Sequence, residues 1–228
     1  MTFNSVWLKE EAPARATSPG RSREEIVAAA LELLDEEGRD GLSMRKLGAK
    51  LMAGATSLYW YVANKDELLE LVYDEVWGEM DVPVAEDVGW REAATAIAYD
   101  MRRVILRHPW SADLIGRLPA LGPNALSVSD RMRRTFRLAG FTGVDADLAM
   151  ATLTAYVYGF TIPEVAWASV TADADYDEDE MREKVVQATR GYPDLQAAAN
   201  TDPSVTRAVA FDFGLLAMLD GLESRLAK

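Results

Sequence analysis

The sequence predicts an all-α fold in which a small three-helix N-terminal head is followed by a larger helical body. Apolar residues recur at helical spacing along most of the chain, and no stretch shows the two-residue alternation of a half-buried strand. Ser or Asn stands at the start of several apolar runs, where helices are commonly capped. About half of the 228 residues are apolar, which is enough for a globular core.

The first helix of the head is predicted to begin at Ser22. Glu25 follows at the spacing of a capping box, and Gly38 and Gly41 end the helix. Its buried stripe consists of Ile26, Ala30, Leu33 and Leu34. Residues 1–20, which contain Pro and Gly, are expected to form a flexible arm before the head, which we place at residues 21–66.

Two short helices joined by a tight turn are predicted next. Ser43 caps the first, which ends at Leu51, and residues 52–54 form the turn. The second runs from about residue 55 to 62, with Leu58 and Val62 facing inward. Such a pair packed on a longer helix is typical of a helix-turn-helix, whose second helix enters the major groove of DNA.

The side chains of this unit suit contacts with DNA. Those expected to point away from the core are Thr56, Ser57, Tyr59, Trp60 and Tyr61, and hydroxyl groups among them can bind phosphates. Lys65 suits a phosphate contact, and Arg45 can reach the O6 and N7 atoms of a guanine. The alternative is that the aromatic residues belong to the core of a helical domain.

The charge is distributed in a way that fits such a head. Residues 1–65 hold nine basic and nine acidic residues, so the whole net charge of −13 falls after residue 65. A neutral head with local basic spots can bind phosphates while an acidic body points away from DNA.

The body, residues 67–228, is predicted to be helical almost throughout. A helix capped by Asn64, again with Glu67 at the capping-box position, connects the head to the body. After a break from Val82 to Gly89, we expect helices near residues 90–107, 109–116, 124–139, 145–168, 179–190 and 203–226. Pro163 is expected to kink the helix near 145–168. The acidic run at 171–180 lacks the glycine and final Glu of a calcium loop and is interpreted as a solvated loop.

Three stretches of the head resemble the tetracycline-repressor (TetR) family: GLSMRKL at 41–47, LYWYV at 58–62 and NKDELL at 64–69. The ending at 213–222 is also similar to the family. The resemblance implies that bases are contacted by Arg45, Thr56 and Trp60, and phosphates by Ser43, Ser57, Tyr59, Tyr61 and Lys65. Two residues depart from the family pattern, because Met52 stands where glycine is usual and Met44 where Thr or Val is usual.

Two body helices are predicted to form a homodimer interface. The last helix carries two apolar stripes, Val209, Phe213, Leu216 and Leu219 on one side and Phe211, Leu215, Met218 and Leu222 on the other. The helix near 145–168 has small residues at Ala151, Ala155 and Gly159, which permit close approach. The family resemblance implies a four-helix interface, and a two-fold dimer would read palindromic half-sites roughly 34–36 Å apart. The alternative is that both helices are internal to a monomer.

A pocket for a small apolar or aromatic effector is expected in the body. Its candidate lining is Met101, Ile105, His108, Trp110, Leu114, Arg117, Leu118, Phe136, Tyr156, Phe160, Glu164 and Trp167. Alternatively, His108 caps a helix end and the aromatic residues are ordinary core.

The absence of cysteine and the single histidine narrow the chemistry. No cofactor or metal site is expected. The tetracycline repressors hold a magnesium–drug chelate with histidine and glutamate, and a chain with one histidine does not match that arrangement.

The head and the body together predict a cytoplasmic, ligand-responsive DNA-binding regulator, and the family resemblance favours a repressor. It is expected to have no enzymatic activity and no membrane segment. The alternatives are an all-α enzyme acting on a small molecule and an acidic protein-interaction module.

Overall fold

A computed structural model of the chain describes residues 5–9, 22–172, 175–199 and 203–226. These residues form an all-α structure with no strand among them. The α-helices are α1 (Arg23–Gly41), α2 (Met44–Lys50), α3 (Ala55–Leu58), α4 (Lys65–Gly78), α5 (Ala85–Val88), α6 (Trp90–Arg107), α7 (Pro123–Ala139), α8 (Val144–Thr171), α9 (Glu178–Ala188), α10 (Pro193–Ala199) and α11 (Pro203–Leu226). Short 3-10 helices span Val6–Leu8 and Pro109–Leu114. Within the described ranges, no helix is long and apolar enough to cross a membrane.

The all-α prediction is confirmed, and most predicted helix positions agree with the structure to within a few residues. Three details of local structure differ from the prediction. The break before residue 90 contains the single-turn helix α5, and α10 was not predicted. The helix predicted near 109–116 is present as a 3-10 helix that ends at Leu114. These elements are too short for an apolar stripe to repeat, so periodicity does not reveal their helix type.

The third helix is shorter than predicted, because α3 ends at Leu58. The amide groups of Trp60 and Tyr61 bond the carbonyl groups three residues earlier, and the chain leaves the helix through a turn. Leu58 and Val62 are both buried, as their spacing predicted. The aromatic residues 59–61 therefore lie on a turn rather than along a helix.

The chain divides into two compact units, Met1–Leu138 and Ala139–Lys228. In the first unit, α1 packs on α2 and α4. Ser22 and Glu25 form the predicted reciprocal capping box, and all four residues of the predicted α1 stripe are buried. Gly38 interrupts the last turns of α1 with a φ of 69°, a left-handed conformation that glycine adopts without strain.

A buried carboxylate joins α4 to α7 within the first unit. Asp74 accepts hydrogen bonds from the backbone amides of Asn124 and Ala125, at 3.2 and 2.9 Å. These amides belong to the first turn of α7, where free N–H groups favour a negative charge. Burial raises the pKa of Asp74, while the two amide bonds oppose that shift. Asp74 thus fixes the start of α7 on the middle of α4.

The second unit is built on α8 and α11. On α11, Phe211, Leu215, Leu219 and Leu222 are buried, whereas Val209, Phe213 and Leu216 are exposed. The prediction of two apolar faces is confirmed, but Leu219 was assigned to the wrong one. Successive i+4 steps keep Leu219 in line with Phe211 and Leu215.

Candidate DNA interface

A close backbone approach at Gly48 holds α2 against the turn that follows it. A Cβ atom at this position would lie 2.8 Å from the Ala53 carbonyl oxygen and 3.1 Å from the Ala55 amide nitrogen. The Ala53 amide donates a 2.7 Å hydrogen bond to the Gly48 carbonyl, which closes the turn. Because both neighbours are backbone atoms, only glycine permits this packing of α2 on α3.

The turn itself contains a non-glycine residue in a left-handed conformation. Met52 has a φ of 50°, and its side chain is 91% exposed. Such a conformation brings the Cβ of an L-residue close to its own backbone and costs roughly 1–2 kcal/mol. Because the Met52 side chain is exposed, its packing does not offset the cost of this conformation.

Replacing Met52 by glycine is expected to stabilise the protein. Relief of the strain exceeds the conformational entropy that glycine loses on folding, roughly 0.5–1 kcal/mol, so the melting temperature should rise by about 1–3 °C. Met52→Ala removes the same exposed side chain but keeps the strain, so its melting temperature should match the wild type. Differential scanning calorimetry of the three proteins makes the comparison, and a glycine variant no more stable than the alanine variant would contradict it.

The residues after this turn present a polar and aromatic surface. Trp60 is 68% exposed and Tyr59 is 49% exposed, while Thr56 and Ser57 are also exposed and Tyr61 is half-buried. Leu58 and Val62 anchor the segment in the core of the first unit. Two large aromatic side chains held outside the core contradict the alternative that they are core residues.

Some of the predicted phosphate-binding groups already have partners. The Ser43 hydroxyl accepts from the Lys46 amide as a helix cap and keeps its own proton available. The Ser57 hydroxyl donates to the Gly54 carbonyl at 2.6 Å, so its proton would have to turn away to reach a phosphate. Lys65 donates one bond to the Arg39 carbonyl at 3.3 Å and retains two further donors.

The cations of α2 differ in their surroundings. Lys46 pairs with Glu37, and Lys50 pairs with Glu36 and Glu32 of α1, at 3.0 and 3.2 Å for Lys50. Arg45 is exposed and makes no ion pair with any residue that the structure describes. Of these three cations, Arg45 is therefore the one whose guanidinium group is available to DNA.

The predicted effector-binding residues fall in both compact units. In the first unit, Met101, Ile105, His108, Trp110, Leu114 and Phe136 are buried, Leu118 is half-buried and Arg117 is exposed. In the second unit, Tyr156, Phe160, Glu164 and Trp167 are half-buried.

His108 lies at the end of α6 between two carboxylates. Its Nδ1 atom is 2.7 Å from Oδ1 of Asp35 on α1, and its Nε2 atom is 3.1 Å from Oε2 of Glu79. The Trp110 indole nitrogen donates to the same Asp35 oxygen at 2.7 Å. Both ring nitrogens thus face protein carboxylates, and the group joins α6 to α1 within the first unit.

Tyr156 and Phe160 form an aromatic cluster with Phe211 in the second unit. Their ring centroids lie 5.2–5.7 Å apart. The Tyr156 hydroxyl donates to the Phe211 carbonyl at 2.7 Å, and burial raises its pKa. A Cβ atom on Gly214 would lie 2.6 Å from that hydroxyl oxygen, so Gly214 makes room for the ring.

Sequence reasoning missed several residues that shape the head and its surroundings. Asp35, Glu70 and Asp74 make their contacts with residues 50 or more positions away. Glu70 and Asp74 do interrupt an apolar run in α4, and this is a signal that buried polar partners exist. The pattern of one sequence does not identify those partners.

An apolar surface remains uncovered on the second unit. Val209, Phe213 and Leu216 lie at i, i+4 and i+7 on the outer side of α11, and we call these three residues the α11 outer face. The small residues Ala151, Ala155 and Gly159 of α8 are exposed as well. An open groove lies between α8 and the end of α11 and is lined by Leu148, Ala151, Ala155, Met218 and Leu222, among others.

Comparison with known proteins identifies both parts of the chain. Residues 26–72 match the family model described as bacterial regulatory proteins, tetR family, and residues 82–226 match the tetracyclin repressor-like, C-terminal domain. An HTH-type transcriptional regulator of Saccharopolyspora erythraea is 43% identical over 72% of this chain and 69% of that protein. The HTH-type transcriptional repressor DrrR1 of Streptomyces coeruleorubidus is 32% identical over 100% of this chain and 86% of that protein.

A solved structure extends the similarity to the fold. The crystal structure of the Streptomyces coelicolor TetR family protein ActR in complex with actinorhodin superposes with a TM-score of 0.78 at 30% identity. The match covers 92% of this chain and 100% of that one. The structural similarity therefore extends over most of the chain.

Proposed function

The chain belongs to the TetR family of transcriptional regulators, and on that basis we propose that it is a repressor whose two heads bind a palindromic operator and dissociate from it when a small organic effector binds. As a member of the family, it is a helix-turn-helix regulator that binds operator DNA as a homodimer. We assign DNA reading to residues 43–65 within a head at 21–66, and effector binding and dimerisation to residues 67–228. A regulator of bacterial genes acts in the cytoplasm.

The exposure of Trp60 beside the buried anchors Leu58 and Val62 is the observation that carries this assignment. A side chain held rigidly at the tip of a turn can enter the major groove without further ordering of the backbone. Arg45 and Thr56 lie on the same helix-turn-helix and are proposed to contact bases with Trp60. Phosphate contacts are assigned to Ser43, Ser57, Tyr59, Tyr61 and Lys65.

The central test is operator binding by the full chain. We expect a gel shift or fluorescence anisotropy to detect specific binding to the DNA upstream of its own gene, with an affinity that falls steeply as salt is added. The same DNA in scrambled sequence should bind at least a thousandfold more weakly, as is roughly typical of specific regulators. Equal affinity for both DNAs would refute the assignment.

Arg45→Ala is expected to weaken operator binding by at least about thirtyfold, because the dimer loses one contact in each half-site, and to relax the preference at one base pair of each half-site. A bidentate contact to guanine is worth about 1–3 kcal/mol. Lys50→Ala is the matched control, because it removes a cation of the same helix that is already paired with Glu32 and Glu36. If both variants bind the selected operator equally well, Arg45 makes no base contact.

The second copy of the chain is proposed to cover the α11 outer face together with the small residues of α8. The family resemblance implies a four-helix interface from these two helices. The apolar side chains of α11 would fill the surface opposite the alanines and glycine of α8. Two-fold symmetry would then set the distance between the two heads.

The effector is proposed to be apolar or aromatic. ActR, which is similar over nearly the whole chain, was solved with actinorhodin. The candidate contact groups are the predicted effector-binding residues of the body named above, most of which are apolar or aromatic, while Arg117 and Glu164 offer polar groups. An effector that binds the released arrangement of the heads more tightly would shift the population away from the operator-bound form.

A thermal-shift screen scored by loss of operator binding tests this part, with actinorhodin as the first probe. We expect at least one aromatic compound to raise the melting temperature and release the DNA at the same concentrations. A compound that stabilises the protein but leaves the DNA complex intact would contradict release by effector. The family gives no support to the alternatives of an enzyme or an acidic interaction module, since its members regulate transcription.

A further inference from the structure

We propose that residues 5–9 form a strap that positions the DNA-reading segment by fixing the first turns of α4. This inference rests on the proposed function, because it assigns a role in operator binding. The strap contains the 3-10 helix Val6–Leu8 and packs on α4 within the first compact unit. It lies about sixty residues before α4 in the sequence.

The central contact of the strap is a buried hydrogen-bonded pair. Ser5 is 2% exposed and Glu70 is 6% exposed, and the Ser5 hydroxyl donates a short hydrogen bond to Oε2 of Glu70. The Val6 amide donates to the same oxygen at 3.1 Å. Without the strap, Glu70 would lose both donors. A buried carboxylate without donors is unfavourable, so α4 would have to shift or admit water.

A second contact ties the strap to the end of the DNA-reading segment through Glu67. Lys9 pairs with Oε2 of Glu67 at 2.8 Å, and the same oxygen accepts the Ala63 amide at 3.3 Å. The predicted capping box of α4 is thereby altered. Asn64 accepts the Glu67 amide as expected, but the Glu67 side chain bonds to Ala63 instead of Asn64. Arg23 at the start of α1 lies 3.7 Å from the other Glu67 oxygen.

Through Glu67, these contacts connect the strap to Ala63, which lies two residues after Tyr61, the last aromatic residue of the turn. Ala63 directly follows Val62, the buried anchor of residues 59–62, and Asn64 begins α4. A displacement of the first turn of α4 would therefore move Tyr61 and Trp60. Ser5 and Glu70 act through this path and not by touching DNA, so they are positioning residues.

The strap should raise the fraction of heads that are ready to bind. Apparent affinity falls in proportion to the fraction of molecules in the binding-competent arrangement. Because both heads of the dimer must be competent at once, a loss of about threefold per head becomes about tenfold for the operator. Binding to random DNA, which relies on phosphates, should change much less.

The test compares Ser5→Ala with Ser5→Thr in the full-length dimer. The probe is the operator selected by the wild type from a random DNA pool, and affinity is measured at 10 °C, where circular dichroism verifies that each protein is folded. We expect Ser5→Ala to bind about tenfold more weakly with little change for random DNA, and Ser5→Thr, which keeps a hydroxyl donor, to bind within threefold of the wild type. Hydrogen exchange at residues 64–70 should be faster only in Ser5→Ala.

Two controls keep the result decisive. Leu8→Ala alters an exposed residue of the strap and should bind like the wild type. If Ser5→Ala does not fold, Lys9→Ala removes only the partly exposed Glu67 pair and should weaken operator binding by about threefold. A Ser5→Ala protein that melts at a lower temperature yet binds the operator normally at 10 °C would overturn the strap as a positioning element. Failure of the wild type to select any operator would instead overturn the proposed function.

Discussion

Phe213→Glu is expected to convert the homodimer into monomers at micromolar concentration. Phe213 is 73% exposed in the single chain and lies at the centre of the α11 outer face, between Val209 and Leu216. Because the side chain makes no core contact to lose, helix content should stay the same. If this face meets the partner, the variant places an unpaired carboxylate in an apolar contact.

The size of the effect follows from the two-fold symmetry. Loss of one central aromatic residue costs at least about 2 kcal/mol in a typical interface. Each substitution occurs twice in an isologous dimer, so the total is at least about 4 kcal/mol, or about a thousandfold in the dimer dissociation constant. A monomer can engage only one half-site, and operator affinity should therefore fall by at least about a hundredfold.

Light scattering and analytical ultracentrifugation measure the outcome directly. Phe213→Leu is the matched control, since it keeps an apolar side chain and should remain dimeric. A Phe213→Glu protein with the mass of two chains and normal operator affinity would show that the dimer uses another surface. Monomeric protein with unchanged operator affinity would contradict the two-headed mode of binding.

Local sequence signals identified the helices and the faces that they bury, because both depend on neighbouring residues. Ser22 with Glu25 marked the start of α1, and the apolar spacing identified its buried stripe. The same signals failed where a helix was too short for its apolar residues to recur at helical spacing. The i, i+4 spacing of Leu58 and Val62 extended the predicted helix to residue 62, although the backbone leaves the helix after Leu58.

Long-range polar contacts could not be predicted in the same way. The sequence placed Glu70 on the helix that begins after Asn64 and His108 at a helix end, but it did not indicate their contacts with Ser5 and Asp35. A buried carboxylate demands a donor, and many donors in the sequence would satisfy it equally well. The candidate DNA residues were accessible to sequence reasoning because they share one short segment.

Gly48→Ala is expected to weaken specific operator binding by more than about a hundredfold while leaving the second compact unit folded and dimeric. By helix propensity alone, alanine inside α2 would stabilise the protein by about 1 kcal/mol. Its Cβ atom, however, would lie 2.8 Å from the Ala53 carbonyl oxygen and 3.3 Å from the Ala55 Cα atom. Neither neighbour can rotate away, so α3 must move outward from α2. Overpacking of this kind costs typically 1–3 kcal/mol.

Because the dimer binds the operator with two heads, the free-energy penalty of the displaced α3 lowers operator affinity twice. A penalty of about 1.5 kcal/mol per head amounts to about 3 kcal/mol for the complex, which is more than about a hundredfold in affinity. Gly54→Ala is the matched control at the other end of the same turn, because Gly54 has a φ of −68° and a Cβ there would meet no atom within 4 Å. It should bind the operator within a few-fold of the wild type. If both alanine variants bind equally well, the turn has room that the close contact at Gly48 does not suggest, and the packing of α2 on α3 does not set the position of Trp60.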